Sequence, residues 1–193
     1  MPVYLLRWGA LALALFTVGC GSSDRMPRNT EDICAIYQDN PHWRRAVAQA
    51  RDKWGAPEEV KMAIIWRESS FRAEARPPRT YTPGIPTGRV SSAYGYSQAI
   101  DGTWDWYEKD TGHSGDRDEF EDAIDFVGWY MAKTRRANGV AMNDAYNQYL
   151  NYHEGHAGYR RGDWRNKAWL MRAAAQVQAQ ADRYRLQASR CRA

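Results

Sequence analysis

The run MAIIWRESSF, Met62 to Phe71, constrains this chain more than any other segment. Val60, Ala63, Ile64 and Phe71 recur on one side of a helix, and Met62, Ile65 and Trp66 widen that stripe until most of the circumference is apolar. Such a helix must be covered on several sides, so it sits at the centre of the fold. Gly55-Ala56-Pro57 stops the preceding element, and Pro57 with Glu58 and Glu59 forms a favourable first turn near the positive helix end. One carboxylate, Glu68, falls in the apolar run.

The rest of the chain supplies helices to cover it. Ile33 to Trp54 reads as helix in two pieces, interrupted at Pro41, with Trp43, Val47, Ala50 and Trp54 on one face. Helical texture returns at Ser97 to Tyr107, then at Glu119 to Ala137 with Phe120, Ile124, Val127 and Met131 spaced for burial, and again from about Asp144 to Tyr152. Gly155 to Asn166 reads as a glycine-rich connection, and Lys167 to Ala188 as a closing surface helix, apolar early and polar late. Residues 76–92 hold four Pro and two Gly without periodicity, which predicts a long ordered loop of the kind that often carries function. No alternating run predicts a strand. The expected fold class is mainly α, with one core.

The amino terminus reads as an export signal. Arg7 precedes an apolar stretch, Trp8 to Val18, that falls short of the ~20 residues a membrane helix needs. It ends in TVGC, similar to a bacterial lipobox, which makes residues 1–19 a signal peptide and Cys20 the lipidated residue. Gly21 after the Cys resembles sorting to the outer membrane. Thr17 stands where Leu is usual, so a secreted or soluble periplasmic protein is the alternative. Residues 20–31, polar with nothing to bury, read as a lipidated tether. Residues 32–193 then make one domain.

Three Cys and a formal charge of +4 bound the remainder. Without Arg7 the charge is +3, thinly spread, and no zinc spacing or RNA-binding signature accompanies it, so no nucleic-acid partner is expected. Cys34 and Cys191 lie near the two ends and in an oxidising compartment would form a disulfide; two independent thiols are the other possibility. His153 and His156 with Glu154 lack a third ligand at convincing spacing, so no metal and no cofactor is expected.

Chemistry centres on Glu68. A carboxylate among Ile64, Ile65 and Phe71 suffers desolvation when ionised, which raises its pKa into the range of a general acid. The competing role is a structural salt bridge to Arg67, Arg72 or Arg44. Ser69 and Ser70 follow, then SSAYGYSQ, Ser91 to Gln98, where Gly95 permits close backbone approach and Tyr96, Ser97 and Gln98 supply rigid polar contacts. Later, QYLNYHEGHAGYRRG, Gln148 to Gly162, crowds Tyr149, Tyr152, His153, Glu154, His156 and Tyr159 around two glycines. Aromatic faces with amide and hydroxyl groups suit a neutral sugar polymer.

ESSF, GYSQ and NYHEG, in that order and spacing, resemble the three signature blocks of lytic transglycosylases with a goose-type-lysozyme-like or SLT domain. The resemblance covers roughly Trp54 to Gly162. It implies a lysozyme-like helical domain acting on peptidoglycan glycan strands, with Glu68 as the catalytic residue; a monomer is expected. It further implies Ser69, Gly95, Tyr96, Gln98, Tyr152, His153 and Glu154 at the substrate, with Tyr152 bonding Glu68 or orienting the muramic acid. In this family the acid cleaves the bond from N-acetylmuramic acid to N-acetylglucosamine and leaves a 1,6-anhydro end. Tyr96 and Ser97 stand where the family has Leu and Met; Asn151, His153 and Glu154 replace Ala, Asn and Ala. A muramidase-type hydrolase, with Asp101, Asp105 or Glu154 as second carboxylate, and a noncatalytic glycan-binding lipoprotein are the alternatives.

Overall fold

The computed structural model describes residues 24–191. Residues 1–19, read above as a signal peptide, and Cys20 lie outside the described residues. Seven α-helices follow in order: α1 (Ile33–Asp39), α2 (Trp43–Trp54), α3 (Glu58–Ser69), α4 (Asp101–Thr111), α5 (Phe120–Asn138), α6 (Ala145–Arg161) and α7 (Ala168–Ala188). A hairpin of β1 (Arg79–Thr82) and β2 (Ile85–Arg89) stands between α3 and α4, and a single 3-10 turn, Asp163–Asn166, precedes α7. The fold is mainly helical.

As its composition requires, α3 is central. Every residue from Val60 to Ile65 is buried, and α7, α5, α6 and α2 all pack against it. The α5 stripe runs the same way: Phe120, Ile124, Val127 and Met131 are buried, and α2 packs along it. Trp43 of α2 lies face to face with Phe120 at 3.8 Å between ring centroids and stacks on Phe71 at 5.8 Å. Asp32 caps α1 by accepting from the Cys34 and Ala35 amides. Cys34 and Cys191 form a disulfide, with Cα atoms 5.6 Å apart across 157 residues of sequence.

Four expectations need correction. Residues 76–92 contain the β1–β2 ribbon, which no alternation announced because β2 is exposed along its whole length and needs no apolar face. α4 starts at Asp101, since residues 94–99 form a turn closed by a Tyr94–Ala99 bridge. α6 does not stop at Tyr152 but continues to Arg161 through a kink at Gly155. Residues 24–31, within the segment read as a tether, touch the domain: Asp24 accepts from the indole of Trp43 (2.9 Å), contacts His42 Nε2 (2.6 Å) and meets the Tyr96 hydroxyl (3.2 Å), and Arg28 pairs with Asp39. The last turns of α7 are also less polar in setting than in composition, for Ala181, Tyr184 and Ala188 are buried.

Candidate active site

Glu68 lies one residue from the end of α3, where the chain turns through left-handed backbone at Ser70 (φ 51°) and Phe71 (φ 60°). Two such residues in succession are costly for side chains with a Cβ, and the full burial of Phe71 against Trp43 holds them there. The turn frees Glu68 to line a cleft of about 520 Å³. Its walls come from three directions: Pro77, Ser91 and Gln98 from the segment between α3 and α4, Phe126 and Tyr130 from α5, and Tyr152, His153, Glu154 and Gly155 from α6. The candidate acid and both later blocks thus share one cavity.

The electrostatics of Glu68 are those of an acid and not of a salt bridge. It forms no ion pair among the described residues; Arg72 donates to the Ser69 carbonyl (3.0 Å) and Arg44 to that of Cys191 (3.3 Å). Burial pushes its carboxyl up to about 7, partly offset by the Tyr149 hydroxyl and by the charge of Arg67, both of which favour the ionised form. At neutral pH such a group holds a proton in a substantial fraction of molecules and can also accept one.

The remaining sequence candidates separate into those in the cleft and those behind it. Tyr152 lines the cleft, but its hydroxyl donates to the Ser97 carbonyl (2.6 Å) and not to Glu68, tying α6 to the turn before α4. Tyr149, one turn earlier on α6, is the tyrosine that engages Glu68. It went unselected although the three-residue spacing from Tyr152 places both on one face. Gln98 is in the cleft wall with its side-chain nitrogen donating to the Ala75 (2.8 Å) and Gly95 (2.9 Å) carbonyls, so it braces the turn as well. His153 and Glu154 are in the cleft; both Glu154 oxygens lie 2.8 Å from Lys167 Nζ, and the His153 ring meets Trp169 edge to face.

Ser69, Gly95 and Tyr96 are not cleft residues. Ser69 is buried and donates back to the Ile65 carbonyl at 3.2 Å, an ordinary use of a helical hydroxyl. Tyr96 is 1 % exposed and packs edge-on against Trp43 and Phe120, its hydroxyl turned to Asp24. This tyrosine therefore faces the core. Gly95 serves the backbone: a Cβ there would lie 1.9 Å from the Arg117 carbonyl oxygen. The groove walls Phe126 and Tyr130 were missed because the burial stripe of α5 explained its apolar residues; their own i, i+4 spacing was the available signal.

Asp101 and Asp105 are exposed and outside the cleft, and Asp101 pairs with Arg117. Among the described residues no group of three or more His, Cys, Asp or Glu side chains could hold a metal. His156 faces Thr134 and stacks on Tyr130.

A helical domain with a buried acid outside any ion pair of the described residues, in an aromatic-walled cleft, is a lysozyme-like arrangement. The chain belongs to the transglycosylase SLT domain family, which matches residues 8–191. No curated protein matches it.

Proposed function

We propose that the protein is a peptidoglycan lytic transglycosylase in which Glu68 acts alone as acid and then as base. The reading rests above all on the setting of Glu68: in the cleft, outside any ion pair of the described residues, its carboxyl held near 7 by burial. Glu68 gives its proton to the glycosidic oxygen between N-acetylmuramic acid and N-acetylglucosamine as the bond to the anomeric carbon breaks. The acetamido carbonyl of the muramic acid supports the positive anomeric centre. The Glu68 carboxylate then takes the proton of the C6 hydroxyl as its oxygen bonds to the anomeric carbon, closing the 1,6-anhydro ring. A tethered hydroxyl has an effective concentration that water cannot match, so no second carboxylate is needed. Tyr152, Gln98, His153 and Glu154 line the sugar path, with Tyr149 tuning the acid.

One observation favours a hydrolase instead: Glu154 is a second carboxylate in the same cleft, as paired-carboxylate glycosidases require. Its two oxygens are engaged by Lys167, which suits a fixed ionised group better than a base that must receive a proton. The same proposal includes export by residues 1–19, lipidation at Cys20, a domain from residue 32 onward, and residence at the outer membrane facing the periplasm. No helix of the described residues is long and apolar enough to cross a membrane.

Digestion of purified sacculi followed by mass spectrometry of the products tests the chemistry. Anhydro-muramic ends are expected, and Glu68→Gln should lower turnover by at least 10³-fold, as loss of a general acid in a single-acid site does. Reducing ends carrying oxygen from labelled water would support the hydrolase. Binding to sacculi with no product from the wild type would leave a noncatalytic glycan-binding lipoprotein.

A further inference from the structure

Beside the cleft, at the root of the β1–β2 hairpin, lies a second pocket of about 520 Å³ lined by Arg72, Glu74, Ala75, Arg76 and Arg89. Elsewhere on this chain basic side chains are commonly matched by carboxylates, as in Arg28–Asp39, Lys53–Asp125, Arg117–Asp101 and Lys133–Asp110. Here three guanidinium groups meet one carboxylate, and none of the three forms an ion pair among the described residues. Each is nevertheless held in position by a single contact. Arg72 donates to the Ser69 carbonyl, Arg76 lies 3.9 Å above the Tyr94 ring, and Arg89 donates to the Pro77 carbonyl. The strand register adds a fourth cation, setting Arg79 directly across from Arg89. Like charges opposed in an antiparallel pair destabilise it, so this ribbon carries a cost that an anionic ligand would relieve.

The pocket and the cleft share a wall. Pro77 lines the cleft and accepts from Arg89, and Gln98 in the cleft donates to Ala75 in the pocket. We propose that this arginine pocket binds the free carboxylates of the peptide branches that muramic acid carries, while the sugar backbone of the same strand occupies the cleft. A branch of two or three residues spans roughly 7–10 Å extended, enough to cross a one-segment wall. Forked guanidinium groups suit carboxylates because two parallel hydrogen bonds fix the orientation. The proposal rests on the cleft being a peptidoglycan site, and it would give the protein a preference for peptide-bearing strands over stripped ones.

The test is calorimetric titration of the full chain with a muramyl tripeptide bearing free carboxylates and with the same compound amidated at each carboxylate. The free acid should bind at least tenfold more tightly. Arg76→Gln with Arg89→Gln should lose that margin, and Arg76→Lys with Arg89→Lys should retain only part of it, since charge remains but the fork is gone; thermal midpoints no lower than that of the wild type establish that the variants are folded. Equal affinity for acid and amide, an undiminished margin in the Gln double variant, or tighter binding of inorganic phosphate than of the peptide acid would each overturn the assignment. Binding needs no turnover, so the two readings fail separately. Peptide binding without glycan cleavage defeats the enzyme and spares the pocket, whereas cleavage without peptide binding does the reverse.

Discussion

Glu68 illustrates how a catalytic group is stored at a cost in stability. In the unfolded chain its carboxyl titrates near 4.5, whereas in the fold burial holds it near 7. Between those values the native state binds the extra proton, so stability falls as pH rises from about 4.5 to 7 and levels off above. Replacing Glu68 with Gln removes that penalty. The variant should therefore match the wild type in chemical denaturation at pH 4 and exceed it by about 2 kcal/mol at pH 8, a figure reduced for the contact of the cleft with solvent. Equal stability at both pH values would mean that the side chain is hydrated and its pKa ordinary. Activity depends on the same proton from the other side: kcat/KM should fall as pH rises through about 7. Tyr149 pulls the acid downward by favouring its ionised form, so Tyr149→Phe should move that alkaline limb upward by up to about one pH unit. A limb that stays in place would remove Tyr149 from the site.

At the scale of elements, α3 was legible because its amino acids left it no surface to show, and α2, α5 and α7 followed from apolar spacing. The hairpin was not, since a ribbon exposed on both faces leaves no alternation to read. Nor was the second half of α6. Gly155 adopts φ 70° and ψ 159°, a backbone open in practice only to glycine, and after it the chain resumes a helix that the glycine-rich composition concealed. Tyr152, His153 and Glu154 line the cleft immediately before the kink. The three blocks bring Glu68, Gln98, Tyr152, His153 and Glu154 to one cavity and leave Ser69 and Tyr96 behind it, because a motif gives proximity in sequence and not the direction a side chain takes. Composition also hid a cost inside α3 itself. Lys61 is fully buried, its amine donating to the Val47 carbonyl at 2.9 Å, and burial draws its pKa down to about 7. The unfolded chain binds that proton more readily, so this group's contribution to stability is complete above about 10.4 and is lost as pH falls toward 7. Lys61→Met keeps the stem and removes the charge; at pH 7 it should gain about 1–3 kcal/mol, measured by urea unfolding, and the gain should vanish by pH 10. A loss at pH 7 would show that the Val47 bond outweighs the buried charge.

At the scale of the whole molecule, the two ends of the described residues meet along one seam. Glu31 pairs with Arg183, the Thr30 carbonyl accepts from the Tyr184 hydroxyl, Gln187 bridges the Ile33 amide and the Glu31 carbonyl, and the Cys34–Cys191 disulfide closes the join. The disulfide borders a pocket that Glu58, the first residue of α3, also lines, whereas Glu68 enters the cleft near the other end of that helix. The disulfide should thus stabilise the domain without touching the chemistry. Closing a loop of 157 residues restricts the unfolded chain by roughly 5 kcal/mol in the chain-entropy picture, although native contacts on the seam are unaffected by its loss. Cys34→Ser with Cys191→Ser should accordingly lower the thermal midpoint by about 10–20 °C for a domain of this size. Product distribution on sacculi at 25 °C should be the same as that of the disulfide-bonded protein. A drop below about 3 °C would mean that the seam holds α7 in place unaided, and altered products would mean that strain travels from the seam through α3 to Glu68.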